Sequence, residues 1–357
     1  LTLHLSLRAP RRILAAALGL SLAVGIAACS SDDHPSDAAT SSDAQQSDLM
    51  PAAEGKTQYP LTLETPWGKT ELKERPEKVI AATPSGFDAE LLVALGVTPV
   101  AAGSGLKNAA YVLDAGGDKI ETRLDGTGDK KYPLEQMSAM EPDVVVDFGD
   151  DLTDDYRNLS AIAPVISAKN KSANYYNDPW QDKIRILGKA LDLSDRAEEV
   201  ITENENLLKK VRDDHPEFKG KTATYSVWYS GSIGLSVFST PGSPSEEFFT
   251  DIGFSKNPLS AETEGKISPE QYGLTDADAL IVSDSTGNKN DLASLTDNPL
   301  YKAVPAVKDG HVSYIDEGAD KNGRSALAWA LALMGPIGTS YVVDNLVPKL
   351  DEALNAS

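Results

Sequence analysis

Glu90-Leu91-Leu92-Val93-Ala94-Leu95-Gly96-Val97 and Glu247-Phe248-Phe249-Thr250-Asp251-Ile252-Gly253-Phe254 follow one pattern, used twice. Each opens on a glutamate, carries apolar residues at helical spacing and stops at a glycine, where a left-handed backbone meets no Cβ. Both are expected as amphipathic helices ending at glycine. A second pair of segments keeps the same order. Glu135-Gln136 precedes Asp143-Val144-Val145-Val146 by the step at which Glu270-Gln271 precedes Asp278-Ala279-Leu280-Ile281. These read as short helices feeding buried strands of the parallel type. Ser243-Pro244-Ser245-Glu246 and Ser268-Pro269-Glu270-Gln271 have capping-box chemistry with proline in the first turn. Strand then helix, twice per half, predicts two α/β lobes.

The halves differ in one place. Gly96 and Glu135 are 39 positions apart but Gly253 and Glu270 only 17, and the extra 22 include Gly103-Ser104-Gly105, Arg123 and Tyr132. This reads as a long irregular loop, either a ligand-meeting segment or a surface insertion. Between the halves, Ala197, Val200, Ile201, Leu207, Leu208 and Val211 keep roughly helical spacing, and Ser194 or Asp195 can cap the start. At about 1.5 Å per residue such a helix spans nearly 30 Å. It is long enough to join two lobes, or else it packs on one of them. The expected boundaries are a first lobe at 59–193, a joining helix at 194–214 and a second lobe at 215–357.

The N-terminal residues have another character. Arg8, Arg11 and Arg12 precede an apolar run, Ile13 to Ala28, that ends in small residues before Cys29, the single cysteine. This is the pattern of a secretory signal, and the run is shorter than the ~20 residues a bilayer crossing needs. Ile26-Ala27-Ala28-Cys29 also resembles the lipobox of bacterial lipoproteins. The resemblance implies a signal peptide at 1–28 and an acyl (palmitate-type) anchor on Cys29. Residues 29–58, rich in Ser, Asp, Ala and Gln, offer little to bury and are expected as a disordered tether.

Composition excludes several functions. The formal net charge is −21 and deepens once Arg8, Arg11 and Arg12 are removed. Nucleic acid is not an expected partner, because phosphate binding needs a basic face. One cysteine leaves no disulfide within a mature chain. There is no Gly-x-Ser-x-Gly elbow, Walker loop or His-Glu-x-x-His helix. His4 falls in the signal and His34 in the tether, so only His215 and His311 remain for a metal cage or a triad. Neither an enzyme, a resident cofactor nor a bare-metal site is expected.

Further segments carry a family resemblance by their order and spacing. They begin with Pro76-Glu77-Lys78-Val79-Ile80, Leu95-Gly96-Val97-Thr98-Pro99-Val100 and Met140-Glu141-Pro142-Asp143-Val144. Leu159-Ser160-Ala161-Ile162-Ala163-Pro164-Val165, Leu187-Gly188-Lys189-Ala190-Leu191 and Ile267-Ser268-Pro269-Glu270-Gln271 follow. The last is Ala303-Val304-Pro305-Ala306-Val307-Lys308-Asp309-Gly310-His311-Val312. From Tyr59 to Leu350 the chain resembles the solute-binding lipoproteins of iron–siderophore and cobalamin importers. The resemblance implies the class III arrangement, two Rossmann-like α/β lobes joined by one long helix, with ligand gripped in the interlobe cleft. It also implies a monomer, lipid-anchored on the extracytoplasmic side of the cell membrane, that delivers ligand to an ABC-type permease and its ATPase. Glu90 and Glu247 fall where the family's docking glutamates meet permease arginines. The ordinary alternative is a carboxylate favoured by the helix dipole. Because one stiff helix resists bending, only modest lobe movement is expected.

The expected ligand is a ferric siderophore, with the iron held by the siderophore itself. Trp228 and Tyr229 follow the strand predicted at 222–227 and offer flat apolar area with polar edges, unless they are core. Arg324, in an irregular stretch after the 312–315 strand, suits an anionic ferric complex or else a surface ion pair. Tyr132, Arg123, Ser85 and Phe148 are first-lobe candidates at loop mouths. Nanomolar capture corresponds to about −12 kcal/mol, which ~40–50 ligand atoms supply at ~0.3 kcal/mol each. Haem and cobalamin match that size, and Tyr229 is a possible axial ligand for haem. A ligand sensor or adhesin on the same fold is the non-transport alternative.

Overall fold

Two five-stranded sheets carry the fold, and the first is built entirely of parallel strands. The structure is a computed structural model describing residues 49–126, 131–149, 151–169, 179–317 and 326–355. Cys29, Arg324 and the signal segment lie outside the described residues. A hairpin of β1 (Leu61–Thr65) and β2 (Gly68–Leu72) comes first. The chain then alternates through β3 (Val79–Ala81), α1 (Phe87–Ala94), β4 (Ala101–Gly103), α2 (Ala110–Asp114) and β5 (Thr122–Leu124). It continues with α3 (Leu134–Ala139), β6 (Val144–Asp147), α4 (Tyr156–Ser160), β7 (Val165–Ser167) and α5 (Trp180–Ala190). The order β5-β4-β3-β6-β7 is doubly wound, with β3, the sheet's first strand, central. Val79–Ala81 and Val144–Val146 are fully buried because helices cover both faces.

The joining helix α6 (Ser194–Asp214) has 21 residues. Beyond it come β8 (Ala223–Ser230), β9 (Gly234–Val237), α7 (Pro244–Asp251), β10 (Lys266–Ile267), β11 (Ala279–Asp284) and α8 (Lys289–Thr296). α9 (Pro299–Lys302), α10 (Pro305–Asp309), β12 (Val312–Asp316), α11 (Ala326–Leu333) and α12 (Pro336–Leu354) complete the chain. This sheet runs β10-β9-β8-β11-β12, with β8, β11 and β12 parallel and β9 antiparallel to both its neighbours. The fold class is the expected two-lobed α/β arrangement with a long joining helix.

The repeated octapeptides end alike, although α1 has no exposed face and buries Asp88 and Glu90, so it is not the amphipathic helix expected. α1 ends at Gly96 (φ 83) and α7 at Gly253 (φ 112). In each, the residue after the glycine reaches back, Val97 N to Leu92 O and Phe254 N to Phe249 O, both at 2.9 Å. This closes the same C-terminal motif twice.

Five local expectations fail, in whole or in part, for tertiary reasons. The 103–132 stretch is not a plain loop, since it contributes α2 and the edge strand β5. β8 returns through a hairpin into β9 instead of crossing over by a helix. Ser243 Oγ does cap α7 by accepting from Glu246 N (3.1 Å), but the Glu246 carboxylate does not return to Ser243 N; it accepts from Gly242 N (2.8 Å) and pairs with Lys256 (2.9 Å). Neither Ser194 nor Asp195 caps α6. The first-turn amides of Asp195 and Arg196 donate instead to the Glu54 carboxylate, at 2.8 and 3.0 Å. Residues 49–58 are thereby fastened to the lobe rather than free as tether. The amides of Gly55, Lys56 and Thr57 all donate to Asp192, and Met50 is buried.

Candidate functional site

In doubly wound sheets, ligands are met at the carboxyl ends of the strands. At the ends of β3 and β6 the chain places Thr83, Ser85, Asp88, Tyr132, Asp147 and Phe148. Backbone packs on backbone here. A Cβ at Gly103 would lie 2.0 Å from Thr83 O, and one at Gly105 2.4 Å from Pro84 O, so both positions need glycine. Beneath them, Asp88 and Asp147 form a buried acid pair. The Thr83 hydroxyl contacts Asp88 Oδ2 and lies 3.2 Å from Asp147 Oδ1. Asp88 also accepts from Thr83 N (2.9 Å) and Phe148 N (3.2 Å). Burial, then the neighbouring Asp147 charge, pushes Asp88 up to about 7. Burial likewise raises Asp147. The two carboxyls meet through the shared Thr83 hydroxyl, and burial favours the protonated form of each.

The Tyr132 hydroxyl is already used. Only 4% of the residue is exposed, and its Oη donates to Asp147 Oδ2 at 2.7 Å. Burial, followed by the Asp147 charge, drives the phenol well above its ordinary range. Phe148 is fully buried and is core, which corrects its placement among ligand contacts. Ser85 is half-buried and its Oγ accepts from Phe87 N at 3.3 Å. Arg123, on β5, is half-buried and donates to Ile120 O, and burial lowers its pKa.

In the second lobe, β8 runs on through Trp228 and Tyr229, whose side chains therefore point to opposite faces. Trp228 is 3% exposed, packs with Leu235 and Val282, and donates Nε1 to Asp291 O at 3.2 Å. It is core, and the ligand assignment is corrected. Tyr229 is half-buried and packs against the other cluster. At the end of β12, Glu317 accepts from Ser283 Oγ (2.5 Å), Tyr225 Oη (3.1 Å) and Leu327 N (3.0 Å). Burial raises its pKa against those donors.

The two glutamates of the repeated pattern part company. Glu247 is exposed on the first turn of α7, and partial burial followed by the Asp251 charge raises its pKa. It lines a cavity of about 370 Å³ formed by α5, α6, α7 and the α11–α12 turn, with Trp180, Leu208, Phe248 and Met334 among its walls. Of the sequence-predicted residues that are described, only Glu247 lines this cavity, which lies against the joining helix and not at the strand ends. Glu90 is 1% exposed. Its Oε1 accepts from Ile337 N (3.1 Å) and Gly338 N (2.8 Å) in the first turn of α12. Burial outweighs those two donors and pushes Glu90 up to about 7. A carboxylate so enclosed offers nothing to a docking protein, so the docking expectation for Glu90 is corrected.

Sequence reasoning missed Asp88, Asp147, Glu317 and the fully buried Lys183, whose Nζ lies 5.3 Å from the Phe87 ring centre. Asp147 had one signal, a carboxylate closing the apolar run Val144-Val145-Val146. Nothing local marked the others. His215 Nδ1 lies 3.0 Å from Glu217 and 3.1 Å from Asp351, a cluster at the C-terminal end of α6, away from the strand carboxyl ends. Its three groups serve as one another's partners. His311 bonds to Ala353 O at 3.0 Å.

A family model described as periplasmic binding protein matches residues 80–319. The Fe(3+)-citrate-binding protein YfmC of Bacillus subtilis is 28% identical over 245 residues, covering 69% of this chain and 75% of that protein. The iron uptake ABC transporter substrate-binding protein PiaA of Streptococcus pneumoniae is similar at 25% identity and a TM-score of 0.62, over 83% of this chain and 100% of that one. PiaA in complex with ferrichrome gives a TM-score of 0.61, again at 25% identity, over 83% of this chain and 99% of that one. A periplasmic solute-binding protein of Mycobacterium smegmatis shares the fold at 24% identity and a TM-score of 0.65, over 83% and 99% of the two chains. The family match spans both sheets and the helix between them, and the chain belongs to the periplasmic binding protein family.

Proposed function

We propose that this chain is the solute-binding lipoprotein of an iron importer, which takes up a ferric siderophore between its lobes and delivers it to an ABC-type permease and ATPase. The observation that carries this reading is the family match across both lobes, together with relatives named for ferric citrate and crystallised with ferrichrome. The work is binding and not catalysis. Tyr229 supplies an aromatic wall from the second lobe, and Arg123 and Ser85 supply polar groups from the first. Arg324 is kept as the cationic partner for an anionic complex. Attachment to the membrane is through acylated Cys29. Glu247, exposed at the start of α7, is the docking carboxylate that survives.

The test is fluorescence titration of the full chain with ferric citrate, ferrichrome, a ferric catecholate, haem and cobalamin. Saturable sub-micromolar quenching by one ferric class supports the proposal and names the ligand chemistry. Quenching by haem or cobalamin alone, or by nothing while the chain remains folded, overturns it.

A further inference from the structure

Besides α6, helix α12 also reaches both lobes. Its N-terminal part packs on α1 and α2 of the first lobe, while its length packs on β11 and β12 of the second. Tyr111 of α2 stacks on Tyr341 of α12, with ring centres 5.3 Å apart. At this junction Glu90 of α1 fills two of the amide positions that every helix start leaves open. The bonds reach across 247 and 248 positions of sequence.

The surroundings are shaped to the carboxylate. A Cβ on Gly335 would lie 2.2 Å from Glu90 Oε1, and one on Gly338 3.3 Å from it. Gly335 is extended (φ −77, ψ 175), so an alanine there meets no backbone strain, and the atoms nearest its Cβ are those of the Glu90 carboxyl. Glu90 Oε2 and Tyr111 Oη are buried without a hydrogen-bond partner among the described residues. Such groups are costly to enclose. A glutamate this enclosed, when leucine would fill the space without that cost, points to what Oε1 holds.

We propose that Glu90 is an interlobe clasp. Its Oε1 fastens the first lobe to a helix rooted in the second, and so limits how far the lobes separate. The clasp adds a non-covalent tie to the covalent one through α6. It requires an acceptor oxygen at position 90, which glutamine also provides. It is independent of which ligand the cleft takes, so its failure and that of the ligand assignment are separately visible.

The experiment uses the full chain with Cys29→Ser and spin labels at Lys107→Cys and Asn290→Cys, one in each lobe and both at exposed positions. Interlobe distance distributions and amide exchange over 337–341 are measured without ligand for wild type, Glu90→Leu, Glu90→Gln and Gly335→Ala. Losing two buried acceptor contacts speeds first-turn exchange by about tenfold or more. Glu90→Leu and Gly335→Ala should both do this and shift the distances to longer values, while Glu90→Gln should resemble wild type. If Glu90→Leu does not fold, Gly335→Ala decides. Unchanged distances in a folded variant would reduce Glu90 to a local cap and overturn the clasp. Glu90→Gln behaving like Glu90→Leu would overturn the role given to Oε1.

Discussion

Replacing Glu90 by glutamine isolates the cost of burying one charge. Burial holds this carboxyl at about 7, against an ordinary value of 4.5. Between those values the folded state binds a proton that the unfolded state has released. Its stability therefore falls as pH rises through that window. At roughly 1.4 kcal/mol per pH unit the gap amounts to about 3 kcal/mol, a ceiling because buried sites relax. Glutamine does not titrate, so the loss is absent from the variant. The stability of Glu90→Gln minus that of wild type should therefore increase between pH 5 and pH 8, by up to about 3 kcal/mol. Asp88 titrates in the same window but is present in both proteins, so it cancels in the difference. Urea unfolding followed by circular dichroism at pH 5, 6, 7 and 8 measures the quantity. A difference that stays flat would refute the argument. A difference of opposite sign would mean that the two α12 amides outweigh burial.

Other outcomes follow from named contacts. Tyr132→Phe removes the hydroxyl that donates to Asp147 Oδ2 at 2.7 Å and should lower unfolding free energy by about 1–3 kcal/mol. Glu54→Ala exposes the first-turn amides of α6 and should cost about 0.5–2 kcal/mol by urea titration, with faster exchange at Asp195 and Arg196. Phe248→Ala empties a buried position between α7 and the core and should cost about 3–5 kcal/mol. In ligand titrations Tyr229→Ala should weaken siderophore binding by about tenfold, a typical loss for an aromatic anchor. Lys189→Ala, exposed in the last turn of α5, should leave it unchanged. Equal effects of the two would remove Tyr229 from the site.

The octapeptides at 90–97 and 247–254, the runs Val144-Val145-Val146 and Ala279-Leu280-Ile281, and the 194–214 helix were legible because they are local. An apolar face must be buried, so its period names the element, and a glycine after that period names its end. The two-lobed α/β class follows from those periods alone. Side-chain fate was not legible, because it depends on partners far along the chain. The two octapeptides both begin with glutamate, yet Glu247 stays at the surface while Glu90 meets Ile337 and Gly338 across the lobe junction. Trp228 and Tyr229 are neighbours, yet the register of β8 between β9 and β11 turns one into core and leaves the other half-buried. The start of α6 carries Ser194 and Asp195, yet Glu54 caps it from 141 positions away. Local chemistry offers each of these residues several partners of similar strength. Folding chooses among them by what the packed sheets and helices bring within reach, and no short window of sequence contains that information.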